Sequence, residues 1–165
     1  MEIRRCCGDQ DIRALADLAK KIWNEYFVDI ISKEQITYMV EKFQSYLALK
    51  KAIEEDHYVY FLAFEDDRMI GFCGVKPEDD GRLFLSKLYL EKDSRGKGLA
   101  SKLLKTALSF ANNEHLRAIY LTCNKFNTHS LDVYKAKGFY EIDAVQTDIG
   151  QGYIMDDYIL QLDLN

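Results

Sequence analysis

The feature that most constrains this chain is a run of three strand-like segments joined by very short turns. "HYVYFLAFE" (57–65) is aromatic and β-branched, "DDR" turns, and "MIGFCGVK" (69–76) returns; "PEDDG" turns again before "RLFLSKLYL" (82–90). Parallel neighbours need a crossover of about a dozen residues or more, so connections this short join only antiparallel strands. The middle of the chain is therefore a meander, and the rest must cover its two faces.

The hydrophobic period changes on both sides of that meander. "EIRRC" (2–6) reads as a short first strand. Asp9 or Asp11 is then expected to cap a helix whose apolar positions Ile12, Leu15, Leu18, Ala19, Ile22 and Trp23 recur at helical spacing. Ser32, with Gln35 three residues on, marks a second helix start. Ile36, Met39, Val40 and Phe43 carry that helix, and "SYLALKKAIEED" continues it to about residue 55. Beyond the meander the pattern is helical from Arg95, with Leu99, Leu103, Leu104, Ala107, Leu108 and Ala111 on one face. "AIYLTC" (118–123) is a strand, and "THSLDVYKAK" (128–137) a short helix ended by Gly138. "FYEIDAV" and "YIMDDYILQLDL" close the chain as two strands. The expected order is β-α-α-β-β-β-α-β-α-β-β. This is an α/β fold with a mixed, mostly antiparallel sheet of six to seven strands and helices on both faces.

With one proline (Pro77) and no low-complexity tract, no interdomain linker is visible, and residues 1–165 are expected to form a single domain. The net charge of −5 argues against nucleic-acid binding, because phosphate backbones select basic surfaces, yet leaves room for a small cationic substrate. "MEIRRCCGDQ" has no apolar run of the secretion-signal kind, and no segment approaches membrane-spanning length, so a cytoplasmic location without membrane association is expected. Cys6 and Cys7 are adjacent while Cys73 and Cys123 stand alone, so no metal or redox spacing is present and no metal is expected.

Chemistry concentrates in "EKDSRGKGLASKLL" (91–104). A nucleotide P-loop is excluded because a glycine follows Lys97 where that motif needs Ser or Thr; the dinucleotide fingerprint is excluded because Ser101 stands where its third glycine belongs. What survives is a strand-to-helix turn whose backbone N–H groups point at an anion, with Arg95 and Lys97 adding positive charge. The plainer alternative is a glycine-bearing helix start with solvated charges.

This stretch resembles the acyl-CoA site of the GNAT N-acetyltransferases, whose pattern is Arg/Gln-x-x-Gly-x-Gly/Ala after a strand; Arg95, Gly98 and Ala100 match it. A second family element, an Asn followed by a short helix carrying Tyr and ending in Gly-Phe, is matched by "NTHSLDVYKAKGF": Asn127, Ser130, Tyr134, Lys137, Gly138 and Phe139. The resemblance spans nearly the whole chain. It implies that acetyl-CoA binds with its pantetheine arm along the main chain of Leu88, Tyr89 and Leu90, in a wedge between two splayed parallel strands. Its pyrophosphate would rest on Arg95, Gly96, Lys97, Gly98, Leu99, Ala100 and Ser101. Asn127 and Lys137 would complete the cofactor side, with Asn127 serving equally well as a helix cap. An amine would attack the thioester directly, the N–H of Leu88 would stabilise the oxyanion, and Tyr134 would protonate the departing thiolate or pack its helix on the sheet.

Some members of that family carry a glutamate on the strand before the turn; here Ser86 and Lys87 stand there, and Glu91 is a weaker substitute, so no general base is assigned. Cys123 is expected to be a small buried hydrophobe rather than a nucleophile. On the acceptor side Trp23 reads as core, while Tyr26 and Phe27 are placed to line a pocket. Asp156 and Asp157 occupy opposite faces of an otherwise apolar strand, each either paired with a structural cation or recognising a cationic acceptor. "IWNEYF", "SKEQITYMV" and the acidic tail together are similar, more loosely, to a bacterial subgroup of that family that includes polyamine acetyltransferases, which implies a polyamine acceptor in an acidic pocket. A peptide N-terminus or lysine is the alternative acceptor, and a non-catalytic acyl-CoA-binding module the alternative of another class. The resemblance also implies a homodimer paired through the late strands.

Overall fold

The computed structural model describes residues 1–164. Strand β1 (Glu2–Arg5) precedes helices α1 (Gly8–Tyr26), α2 (Lys33–Met39) and α3 (Tyr46–Glu54). The meander follows as β2 (Val59–Glu65), β3 (Arg68–Pro77) and β4 (Arg82–Leu90). Helix α4 (Leu99–Asn113), β5 (Ala118–Asn124), α5 (Thr128–Ala136), β6 (Tyr140–Gly150) and β7 (Tyr153–Asp163) complete the order. The seven strands of the described residues form one sheet in the order β1-β2-β3-β4-β5-β7-β6, antiparallel throughout except for β4 beside β5. The β2–β3 hairpin turns on Asp66 and Asp67, both left-handed (φ 51° and 64°), the geometry that matches strand twist in a two-residue loop.

Three helix boundaries differ from the sequence expectation. Helix α1 starts at Gly8 rather than after an aspartate cap; the Asp11 carboxylate accepts the Cys7 N–H (2.9 Å) from inside the first turn and is itself held by Arg4. Ser32 does cap α2, accepting the Gln35 N–H at 3.0 Å. That helix then widens into a π-turn (Val40–Gln44) and breaks at extended Ser45, which caps a separate α3 through the Ala48 N–H. Helix α4 begins four residues later than the periodicity suggests, because a 3₁₀ turn (Lys92–Ser94) and two left-handed glycines, Gly96 and Gly98, occupy the preceding stretch.

Each sheet face buries its own helices. On one side α4 seats Leu99, Leu103, Ala107 and Ala111 over Ile70, Cys73, Ile119 and Leu121, with Leu131 of α5 alongside. On the other, Leu15, Ala19 and Ile22 of α1 and Leu49 of α3 pack on Tyr60, Leu62 and Phe72. A third cluster joins Trp23, Phe27, Ile36 and Met39 to Ile149 near the end of β6. Among the described residues no helix is long and apolar enough to cross a membrane.

The sheet is not continuous at its centre. Strands β4 and β5 pair only from Arg82↔Ala118 to Phe84↔Tyr120, where the two rings stack at 4.9 Å. Past that point β4 stays paired to β3 as far as Leu90, and β5 stays paired to β7 as far as Asn124. Each strand follows its outer partner, and a gap opens between them.

Candidate active site

The main chain of β4 faces this gap with groups that no strand satisfies. The Glu91 N–H donates to the Ile70 carbonyl (2.9 Å), and the register pairs Gly71 with Leu90. Hydrogen-bonded pairs alternate along an antiparallel ladder, so Tyr89 and Lys87 bond to β3 while the N–H and C=O groups of Leu88 and Leu90 point the other way, into the gap. The Leu90 carbonyl is taken by Arg95 Nε at 3.1 Å.

Immediately after β4 the chain makes the glycine turn. Gly96 (φ +77°) and Gly98 (φ +78°) are both left-handed, a conformation L side chains resist, and a Cβ at either would meet no atom within 4 Å. The glycines are thus not forced by packing; they bend the backbone and leave its surface open to a large anion. Gly98 is the N-cap of α4, with no side-chain cap on that helix start among the described residues. Lys137 extends from the end of α5 to Ser101 on α4, its Nζ donating at 2.6 Å. Lys97 is exposed and lies outside the cavity wall. Arg95 turns inward, its guanidinium 4.6 Å from the Tyr26 ring centre and its Nη2 buried without a partner among the described residues.

Gap and turn belong to one cavity of about 1070 Å³. Its cofactor-side wall holds Leu88, Tyr89, Leu90, Arg95, Gly96 and Gly98, continuing through Leu99, Ala100, Ser101, Asn127, Tyr134 and Lys137. Asn127 also caps α5, its Oδ1 accepting the Ser130 N–H at 3.4 Å. Tyr134 packs edge-on against Phe139 (5.4 Å). Burial pushes its hydroxyl pKa well above the ordinary tyrosine value, so it stays protonated at neutral pH. Tyr26 crosses from α1 to α5, its hydroxyl 2.6 Å from that of Ser130.

The end of the cavity where an acceptor is expected lies on the α1 face. Tyr26, Phe27 and Asp157 line it, together with Met39, Gln44 and Ile149. Phe27 does so as a buried member of the third apolar cluster. The two neighbouring aspartates part company here. Asp156 lies outside the cavity and pairs with Lys125 at 2.8 Å. Asp157, at the last pair of β5 and β7 (Asn124↔Asp157), is 7% exposed, and its Oδ1 has no partner among the described residues. Burial, then the charge of Asp156, pushes its carboxyl up to about 6, with Lys125 pulling weakly the other way.

Two expectations need correction. Glu91 is no substitute base: it lies outside the cavity, buried against Arg68 (2.5 Å) and Lys21 (3.3 Å). Burial alone raises its carboxyl, but those two cations outweigh it and hold the pKa below the ordinary value. Nor is the cavity acidic. Its wall carries Lys42, Lys51, Lys87, Arg95 and Lys137 against Asp56 and Asp157. The acceptor face of the sheet looks toward helices that carry lysines, a pairing no single stretch of sequence displays. Cys123 lines the cavity too, but burial and the nearby Asp157 push its thiol up to about 12, so almost no nucleophilic thiolate forms.

Comparison with known proteins places the sequence and the fold. The model described as "Acetyltransferase (GNAT) family" matches residues 15–139, well over half of the sequence. The chain belongs to the GNAT family. Among relatives of this GNAT chain, human N-acetyltransferase 8B is 30% identical over 131 residues, covering 76% of this chain and 53% of that protein. The "probable spermine N(1)-acetyltransferase" of Bacillus subtilis subsp. natto (strain BEST195) is 28% identical over 117 residues, covering 66% of this chain and 75% of that protein. The chain thus spans about half the length of the first of these and three quarters of the second. The crystal structure of PaiA N-acetyltransferase from Thermoplasma acidophilum, in complex with coenzyme A, superposes with a TM-score of 0.82 at 22% identity, covering 99% of this chain and all of that one. That likeness shows the shared fold.

Gln44 and Lys87 are among the wall residues to which sequence reasoning gave no part in the site, together with Lys42, Lys51, Asp56 and Ile149. Lys87 carried a signal: it is a lysine in a strand, "RLFLSKLYL", whose other residues from Leu83 on are apolar or a serine. Gln44 carried none, since its burial depends on a π-turn.

Proposed function

We propose that this protein transfers the acetyl group of acetyl-CoA to a small primary amine. The observation that carries the reading is the gap beyond Phe84, with the free main-chain groups of Leu88 facing it and an open glycine turn at its end. The pantetheine arm would bond to Leu88 as a substitute strand would, and the pyrophosphate would sit on the amides of residues 95–101. The amine nitrogen would attack the thioester carbonyl while the Leu88 N–H stabilises the oxyanion. Asp157, buried at the acceptor end, would hold the incoming ammonium and take its proton; its elevated pKa suits that task near neutrality. Collapse of the tetrahedral intermediate breaks the C–S bond, and Tyr134 would give its proton to the departing thiolate. Lys137, Asn127 and Arg95 would position the cofactor.

Polyamines are the acceptors that two relatives support by name, the Bacillus subtilis (strain 168) "spermine/spermidine N(1)-acetyltransferase" being the second. The lining supports a second acceptor class, an amine bearing fewer positive charges, since Lys42, Lys51 and Lys87 share the acceptor end with only two carboxylates. Thiol release from acetyl-CoA, measured against spermidine, spermine, single amino acids, monoamines and short peptides, tests the reading. Turnover on a small amine supports it. Turnover on peptides alone would move the activity to a peptide acceptor, and CoA binding without turnover on any amine would make the protein a CoA-binding module.

A further inference from the structure

Lys87 is a charge in the cavity wall to which the proposed transfer gives no role. It points from β4 to the α1 face, beside Tyr89, and lies in the cavity wall. Its Nζ donates to the Tyr60 hydroxyl at 2.5 Å and sits 5.2 and 5.6 Å from the ring centres of Tyr60 and Tyr58. No carboxylate lies within 4.0 Å of it among the described residues, whereas Lys51 in the same wall is neutralised by Asp56 (3.1 Å) and Lys42 is held by the Ile149 carbonyl (2.6 Å). An ammonium has three protons to donate, so two of those on Lys87 remain unused.

The position is built rather than incidental. Lys87 pairs across β3–β4 with Gly74, and a Cβ at Gly74 would stand 2.8 Å from the Tyr60 ring. A side chain opposite Lys87 would crowd the Tyr60 ring and push it from the place where its hydroxyl accepts the ammonium proton. Gln44, 1% exposed in the π-turn on the same side of the sheet, places an amide in the wall with neither nitrogen nor oxygen partnered among the described residues. Even half-burying a cation without a counter-charge is costly, and desolvation pushes the Lys87 pKa down to about 8. The cost is removed if the missing anion arrives with the ligand.

We infer that Lys87 is the subsite for an anionic group of the acceptor, so that the preferred substrate is an amine that also carries a carboxylate or a comparable anion. The inference rests on the amine-acetylation reading and gives it a substrate class: Asp157 takes the amine, Lys87 the anion, and the Tyr58 and Tyr60 rings flank the latter. A polyamine, with positive charge along its whole length, would bring like charge against Lys87.

The test is the affinity of CoA-saturated protein for N-acetylated amino acids, each matched with the same compound lacking its carboxylate, in wild type, Lys87→Met and Lys87→Arg. At least one carboxylated member is expected to bind about tenfold or more tightly than its match; Lys87→Met should erase that difference and Lys87→Arg keep part of it. Unliganded Lys87→Met should melt no lower than wild type, since it loses an uncompensated charge. A set in which no carboxylated member outperforms its match, or in which the preference survives Lys87→Met, overturns the subsite. Thiol release run on the same amines separates the two readings. Carboxylate-dependent binding without turnover would sink acetyl transfer and leave the subsite standing, whereas turnover confined to spermidine and spermine would do the reverse.

Discussion

The two ends of the cavity recognise by different means. At the turn, the groups offered are main-chain amides over Gly96 and Gly98, open to solvent and assembled from one contiguous stretch. At the other end they are side chains from α1, the π-turn, β4 and β7, Gln44 and Asp157 buried and unpaired among the described residues, Tyr26 and Lys87 half-buried. A backbone cradle is indifferent to neighbouring side chains and suits a partner of invariant chemistry. Buried, desolvated side chains are sensitive to every polar group that meets them, and such a wall discriminates among partners. On the proposed reading, one end fixes the reaction and the other its specificity.

The comparison can be broken first at the turn. Gly98→Asp should weaken CoA binding by about a hundredfold or more, because it forces an L residue into a left-handed backbone and sets a negative charge beside the pyrophosphate. Calorimetric titration with CoA reads this, and near-normal affinity would remove the phosphate from the turn. Tyr134→Phe should lower kcat by about 10- to 100-fold with CoA affinity within about twofold, since only the proton donor is lost. Unchanged kcat would leave Tyr134 as packing against Phe139.

Asp157→Asn sharpens the contrast on the acceptor side. The amine KM should rise by about tenfold, and the acid limb of kcat/KM near pH 6 should disappear. Stability moves the opposite way. A carboxyl whose folded pKa of about 6 exceeds its ordinary 3.8 binds more protons folded than unfolded between those values, so its contribution falls as pH rises through that window. At pH 7 the variant should therefore be more stable than wild type, by about 1 to 3 kcal/mol, while at pH 3.5 the difference should largely vanish; equal melting temperatures at pH 7 would contradict the burial assigned to Asp157. The smallest effect is expected next door. Asp156→Asn removes a half-exposed pair with Lys125 and should cost less than about 1 kcal/mol with no change in amine KM. A large KM effect there would mean that the two aspartates do not divide as described.

How far the sequence could be read follows the same division. The meander, the glycine turn and the Asn127–Phe139 helix are each contiguous, and their spacing alone carries both the fold order and most of the cofactor side. Alternation along "YIMDDYILQL" separates Asp156 from Asp157, but which of them faces the cavity depends on Lys125 reaching one from the end of β5. The break at Ser45 was hidden because the apolar period continues through it, and the π-turn that buries Gln44 changes phase without changing composition. The net charge of −5 suggested an acidic pocket, yet the wall is richer in lysine, because overall composition says nothing of which residues border a cavity.

The central claim is that the gap between β4 and β5 receives the pantetheine arm of acetyl-CoA. A crystal structure with CoA bound tests it most directly. The account predicts hydrogen bonds from the arm to the main chain of Leu88, the pyrophosphate on the amides of residues 95–101, and the sulfur beside Tyr134. CoA bound elsewhere, or a gap closed by β4 pairing with β5 beyond Phe84, would contradict it.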